Sequence, residues 1–223
     1  MSKAFLIAIF ILLLFGACRS EPDSLVVNPP AAPKPERGPV PYTITDYENK
    51  SRGGAIPEWV SLWLDSGVYM VENMDAYRDR YVFVARNEAN NFNALNLWRD
   101  GFSAELDFPR LAAARVEKRL AAAVENPDQN YGAFYETMIR TASDFSWTGA
   151  VRVDDFWTLR QFSPGEEGVP DENWEFLILV TIEKSLFASQ LNRVFEMVNP
   201  NPAPTRDQRT TINRVRERFF DGF

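Results

Sequence analysis

The sequence predicts an α+β domain: a small, mainly antiparallel sheet with several helices packed on one face. Three observations point there. Short alternating or wholly apolar runs mark strands at Tyr81–Ala85, Val151–Phe162 and Trp174–Ile182. Apolar residues at helical spacing mark helices before, between and after them. The two kinds are interleaved without the regular βαβ repeat that a parallel sheet requires.

The domain begins near Ile56. Pro57 suits the first turn of a helix, Trp59, Val60, Trp63 and Leu64 share one helical face, and Gly67 ends the run. Val68–Val71 and Tyr81–Ala85 read as short strands joined through the polar stretch Glu72–Arg80. Helices are expected at Asn91–Leu106, Pro109–Glu125 and Tyr131–Phe145. In the second, Ala113, Val116, Leu120, Ala123 and Val124 form a stripe of mostly small side chains, which permits close approach to a neighbour. In the third, Tyr131, Phe134, Tyr135, Met138, Ala142 and Phe145 repeat at helical spacing.

Alternation in Val151–Phe162 sets Val151, Val153, Trp157 and Leu159 against Arg152, Asp154, Thr158 and Arg160, as in a sheet wet on one side. Trp174–Ile182 is nearly continuous in apolar residues and so reads as a central strand. Ser163–Asn173, with two Gly, two Pro and several acids, is a long exposed loop between them. A last domain helix puts Leu186, Phe187, Leu191, Val194, Phe195 and Val198 on one face and stops at Asn199-Pro200. Residues 199–223 are then a short linker and an amphipathic helix, Ile212, Val215 and Phe219 on one side and arginines elsewhere. Docking on the domain, on a partner or on a membrane surface would each suit it.

The N-terminus carries a different message. Lys3 precedes the apolar run Ala4–Phe15, twelve residues long, and the small residues Gly16 and Ala17 come after it. That is the layout of a secretory signal, residues 1–17, and the run falls short of the roughly 18 residues that a membrane-crossing helix needs. The stretch Leu14-Phe15-Gly16-Ala17-Cys18 resembles a bacterial lipobox, with Phe15 where Leu is usual. The resemblance implies diacylglyceryl transfer to Cys18, cleavage before it and acylation of the new amino group, such as by palmitate. Cys18 is the chain's one cysteine, so an intramolecular disulfide is excluded. Arg19–Ala55 holds seven prolines and few large apolar residues, and reads as a tether completing a segment 18–55. Fully extended, such a tether would reach up to about 110 Å.

Composition removes whole classes of function. The chain has no histidine, which excludes Ser-His-Asp and Cys-His catalysis and the histidine-bearing zinc sites. Its formal charge is −7, and −8 once the signal's lysine is gone, so the phosphate backbone of nucleic acid offers it nothing. No calcium loop, phosphate-binding glycine loop or nucleophile elbow is present in the sequence, and neither a metal nor a cofactor is expected. Asp154-Asp155 would point to opposite faces of a strand, and Glu166-Glu167 fall in the long loop, so neither pair makes a joint acid and base. The polar run Arg86–Asn91, just past a strand, offers Asn87, Asn90 and Asn91 as a binding surface, or else as a turn and helix cap.

Ile56-Pro57-Glu58-Trp59-Val60, the Ala-rich Leu111–Arg115, Gly149-Ala150 with Trp157, and Leu177–Ile182 together resemble the envelope lipoproteins of the Lpp-twenty kind and related treponemal lipoproteins. The resemblance covers Ile56–Val198. It implies a compact domain of helices against a short sheet, held in the cell envelope, with Arg19 after Cys18 pointing to the outer membrane and the domain in the periplasm or at the cell surface. It brings no catalytic residues. The expected function is therefore that of a membrane-anchored, non-enzymatic binding or assembly module that meets an envelope protein partner. The alternative is a carrier of lipid or another apolar molecule, with a pocket beside Trp98, Phe134 and Phe145.

Overall fold

The computed structural model describes residues 41–123, 132–162 and 171–198, together with eight single positions between 203 and 217. It has the expected α+β architecture, a four-stranded open antiparallel sheet with six α-helices among the described residues. In chain order these are β1 (Tyr42–Tyr47), α1 (Glu58–Ser66), α2 (Val68–Glu72), β2 (Arg80–Ala89), α3 (Phe92–Gly101), α4 (Ala104–Ala123), α5 (Gly132–Asp144), β3 (Val151–Phe162), β4 (Glu172–Glu183) and α6 (Lys184–Met197). The sheet order is β1-β3-β4-β2, so β1 and β2 are the edges. No helix among the described residues is long and apolar enough to cross a membrane.

Alternation along β2 and β4 divides the core in two. Tyr81, Phe83, Ala85, Ile178, Val180 and Ile182 face α4, α5 and α6, where Phe108, Val116, Met138, Phe187 and Leu191, with Trp147 from the segment after α5, complete the larger cluster. Val82, Leu177, Leu179 and Phe156 face the other way, against Trp59, Val60 and Val71. The long helices thus pack on one face as expected. In addition α1 and α2 cover part of the second face, so the helices are not confined to one side.

Several local expectations change. The tether expected to run to Ala55 stops short of it, since Tyr42–Tyr47 is a strand that pairs antiparallel with β3 and ends in the turn Lys50–Arg52. Tyr42, Thr43, Ile44 and Thr45 favour a strand, but so short a run between prolines hides the signal. Val68–Val71 is helical, not extended. Gly67, at φ 78°, reorients the chain after α1, and Val71 is buried against β2. The helix expected at Asn91–Leu106 is two helices. The chain leaves α3 at buried Phe102, and Ser103 starts α4: its Oγ accepts from Leu106 N–H while its own N–H donates to Asp107. Pro109 therefore lies inside α4 rather than at its start.

The alternation read into β3 is also overturned. Val151 and Val153 are 51% and 48% exposed, whereas Thr158 and Arg160 are buried. A bulge between Arg152 and Asp154 shifts the facing of the strand. Beyond it, Thr158 and Arg160 belong to a charged cluster that no alternation rule anticipates. β4 is the expected interior strand, and the buried stripes Ala113-Val116-Leu120, Phe134-Met138-Ala142 and Phe187-Leu191-Val194 lie where the periodicity sets them. The signal, Cys18, the loop residues 163–170 and the apolar stripe Ile212-Val215-Phe219 lie outside the described residues. Arg206, Arg209, Thr210, Asn213, Arg214 and Glu217 are helical and exposed.

Candidate functional site

The two sheet edges are finished differently. An edge strand offers unpaired N–H and C=O groups, which a folded chain must cover or leave for a partner. On β1 a bulge at Thr45 breaks the row, and the Lys50 ammonium donates to the Thr45 carbonyl. On β2 the cover comes from two side chains at Val82. Its N–H donates to Glu72 Oε1 at 2.9 Å, and its carbonyl accepts from Arg115 Nη1 at 2.9 Å. Arg115 Nη1 and Glu72 Oε1 are themselves 2.6 Å apart. Glu72 is the last residue of α2 and Arg115 lies in the middle of α4, so the pair ties one face of the sheet to the other around its edge. The guanidinium also lies 4.8 Å from the Tyr81 ring centre and 5.0 Å from that of Phe83.

Antiparallel geometry then sets the rest of this edge. In such a ladder alternate residues turn both backbone groups away from the paired strand. Val82 is one of these, and β2 pairs with β4 without a register shift, so Arg80, at the start of the strand, and Val84, Arg86 and Glu88 are the others. The Glu88 N–H is taken by Asn87 Oδ1 at 2.9 Å. Between the clamp at Val82 and Asn87, the outward N–H and C=O of Val84 and Arg86 meet no partner among the described residues.

A cavity of about 570 Å³ runs beside this gap. Trp63 and Val68 form one wall, Leu111 and Ala114 of α4 the other, with Val82 and Val84 between them. Of the charged residues around it, Arg115, Lys118 and Arg119 are cationic and Glu72 alone is acidic, a reversal of the chain's balance of −7. Burial, and then the neighbouring charge of Arg115, lower the pKa of Arg119, while burial raises that of the Tyr81 hydroxyl.

Next along β2 the same face carries an ionic cluster. Glu175, wholly buried, meets both Arg86 and Arg160, and its Oε2 accepts from Thr158 Oγ1 at 3.3 Å. Glu88 joins through Arg86, and through Arg160 at 3.7 Å. Arg160 lies 4.3 Å from the Tyr42 ring centre and Arg86 5.6 Å from that of Trp63. Burial pushes the Glu175 carboxyl above its ordinary range against the pull of the arginines, and pushes Arg160 below its own. Sequence reasoning missed this cluster. Its signal is Glu175 itself, a lone charge inside an otherwise apolar strand.

The sequence-proposed asparagines are separated in role. Asn87 sits within β2 opposite Phe176, not in a turn. Asn90 is exposed in the bend after the strand. Asn91 caps α3, its Oδ1 accepting from Asn93 N–H at 3.0 Å and Ala94 N–H at 3.2 Å. Asp154 and Asp155 point apart as expected, the first accepting from Trp59 Nε1 at 2.8 Å and the second from Arg152 at 2.6 Å. Phe134 is buried, and Trp98 and Phe145 pack against the larger core cluster, so the cavity at β2 lies away from the aromatics named for a pocket. Among the described residues no three acidic or cysteine side chains gather as a metal site. No protein-family model, curated protein or solved structure matches this chain, and the lipoprotein-family resemblance rests on the residues quoted for it.

Proposed function

We propose that the chain is a lipid-anchored envelope lipoprotein whose domain works by binding a partner protein, without catalysis. The anchor reading rests on the secretory layout of residues 1–17 and the lipobox-like Leu14–Cys18. The binding reading rests on one observation above all, the gap at Val84 and Arg86 in an edge strand that Glu72 and Arg115 cover at Val82 and Asn87 covers at the Glu88 N–H. Photoreactive residues at Lys118, beside the gap, and at Asp144, at the end of α5, provide the test in intact cells. Discrete protein adducts from position 118 and none from 144 support the reading; adducts from neither, or the same from both, oppose it. Mass spectrometry of the native N-terminus tests the anchor, and an unmodified Cys18 thiol would end it.

Carriage of an apolar molecule is the second reading, favoured by the apolar walls of the 570 Å³ cavity. Against it stands the backbone of Val84, since an alkyl chain supplies neither donor nor acceptor to groups that need both.

A further inference from the structure

We infer that the β2 edge takes an extended segment of a partner protein as an added strand, and that this segment alternates acidic with apolar side chains. The inference rests on the protein-binding reading above and names the partner's chemistry.

Two donors and two acceptors, those of Val84 and Arg86, lie in one row, at the spacing a strand presents. Peptide backbone is the ligand that matches such a row, and strand addition is how exposed sheet edges take peptides. The ends of the gap fix its extent. At Val82 the carboxylate of Glu72 and the guanidinium of Arg115 already occupy the place of a neighbouring strand, and at Glu88 the Asn87 amide oxygen takes the N–H that such a strand would need. An incoming strand would therefore make its backbone bonds over a short stretch and draw the rest of its affinity from side chains.

Those side chains would alternate between two walls, because successive residues of a strand point to opposite faces. One wall is α4, where exposed Lys118 adds its charge beside the clamped Arg115 in a stretch of net positive charge, and it calls for acids on that side of the strand. The other is Trp63, Val68 and Tyr69, and calls for apolar groups. Elsewhere the acidic chain would repel such a segment, so the cationic wall also selects the place of docking.

The test uses the full chain and two synthetic peptides of about eight residues, one alternating valine with glutamate and one alternating valine with lysine. Titration by calorimetry is paired with amide exchange read residue by residue. The inference predicts that the glutamate peptide binds, that it slows exchange at Val84 and Arg86, and that the lysine peptide does not bind. Lys118→Glu should weaken binding about fivefold and added salt should weaken it further. Val84→Pro removes an outward donor that the sheet does not use, and should weaken binding at least about fivefold. If that variant fails to fold, the exchange pattern of the unaltered chain still decides.

Binding without protection at Val84 and Arg86 would overturn the inference. So would equal binding of both peptides, binding of neither, or a cleft that takes dodecanoate in their place. Slow exchange at both residues in the chain alone would also overturn it, since the edge would then be filled by the chain itself or a second copy. If both peptides fail but position 118 still yields adducts in cells, strand addition falls and the binding reading stands. If the glutamate peptide binds as described and no cellular adduct forms, it is the binding reading that falls.

Discussion

Glu72 and Arg115 hold Val82 by its own backbone, the carboxylate taking its N–H and the guanidinium its carbonyl, each at 2.9 Å. Two side chains from helices on opposite faces of the sheet thus stand in for a missing strand. The clamp finishes one end of an edge whose middle stays open.

Removing one partner of this clamp should be costly. Arg115→Met would leave Glu72, only 6% exposed, as a buried charge without its cation and would orphan the Val82 carbonyl. A loss of about 3–5 kcal/mol is expected in urea unfolding. Arg115→Lys keeps the charge but not the planar fork, and should lose less. An unchanged midpoint for the Met variant would show that the clamp carries no weight.

The pH dependence should run against the common pattern of acid denaturation. Burial raises the carboxyls of Glu48 and Glu175, and the charges of Asp155 and Asp154 add to the rise at Glu48. A carboxyl with a raised folded pKa takes its proton earlier in the folded state. Its contribution to stability is full below the unfolded pKa and is lost as pH rises through the folded value. The urea midpoint should therefore climb as pH falls from 7 toward about 4.5, the ordinary carboxylate range. Glu48→Gln should raise the midpoint at pH 7 and shrink that climb. A midpoint that falls over the window, equally in both proteins, would contradict the assignment.

Gly149 holds a left-handed conformation, φ 81°, in the loop that leads through Ala150 into β3. A Cβ there would also come within 2.4 Å of Leu186 Cδ2. Gly149→Ala should cost about 1–2 kcal/mol from the backbone alone, measured by thermal or urea unfolding. A neutral result would show that the loop can re-form.

Asn91 and Asn87 should part company on substitution. Asn91→Ala removes the α3 cap and should cost about 1 kcal/mol of stability while leaving partner binding as it was. Asn87→Ala frees the Glu88 N–H and lengthens the open edge, so it should strengthen binding of an added strand. Identical effects of the two changes on binding would refute the distinction.

The longer helices are legible in the sequence because their signals are periodic: Phe187, Leu191 and Val194, for example, are buried as their spacing dictates, and β4 is legible as a continuous apolar run. The hidden features depend on contacts distant in sequence. β1 is a strand because β3 pairs with it, Asp46 opposite Leu159, and the Thr45 hydroxyl donates to the Leu159 carbonyl 114 residues on. Val68–Val71 has strand-like side chains, but Gly67 and the burial of Val71 make it helical. Thr158 and Arg160 look solvent-facing until Glu175 is placed opposite the first and within ion-pair reach of the second. Of the candidate site, the run from Arg86 to Asn91 is visible as polar residues beside a strand. The gap itself is not, because it depends on which backbone groups lack partners once the sheet is assembled.

The most direct test of strand addition at β2 is photocrosslinking in intact cells from position 118, comparing the otherwise unaltered chain with Val84→Pro at matched protein levels. A binding edge at Val84 and Arg86 predicts a discrete protein adduct that the proline variant loses. The same adduct at the same yield in both would contradict it.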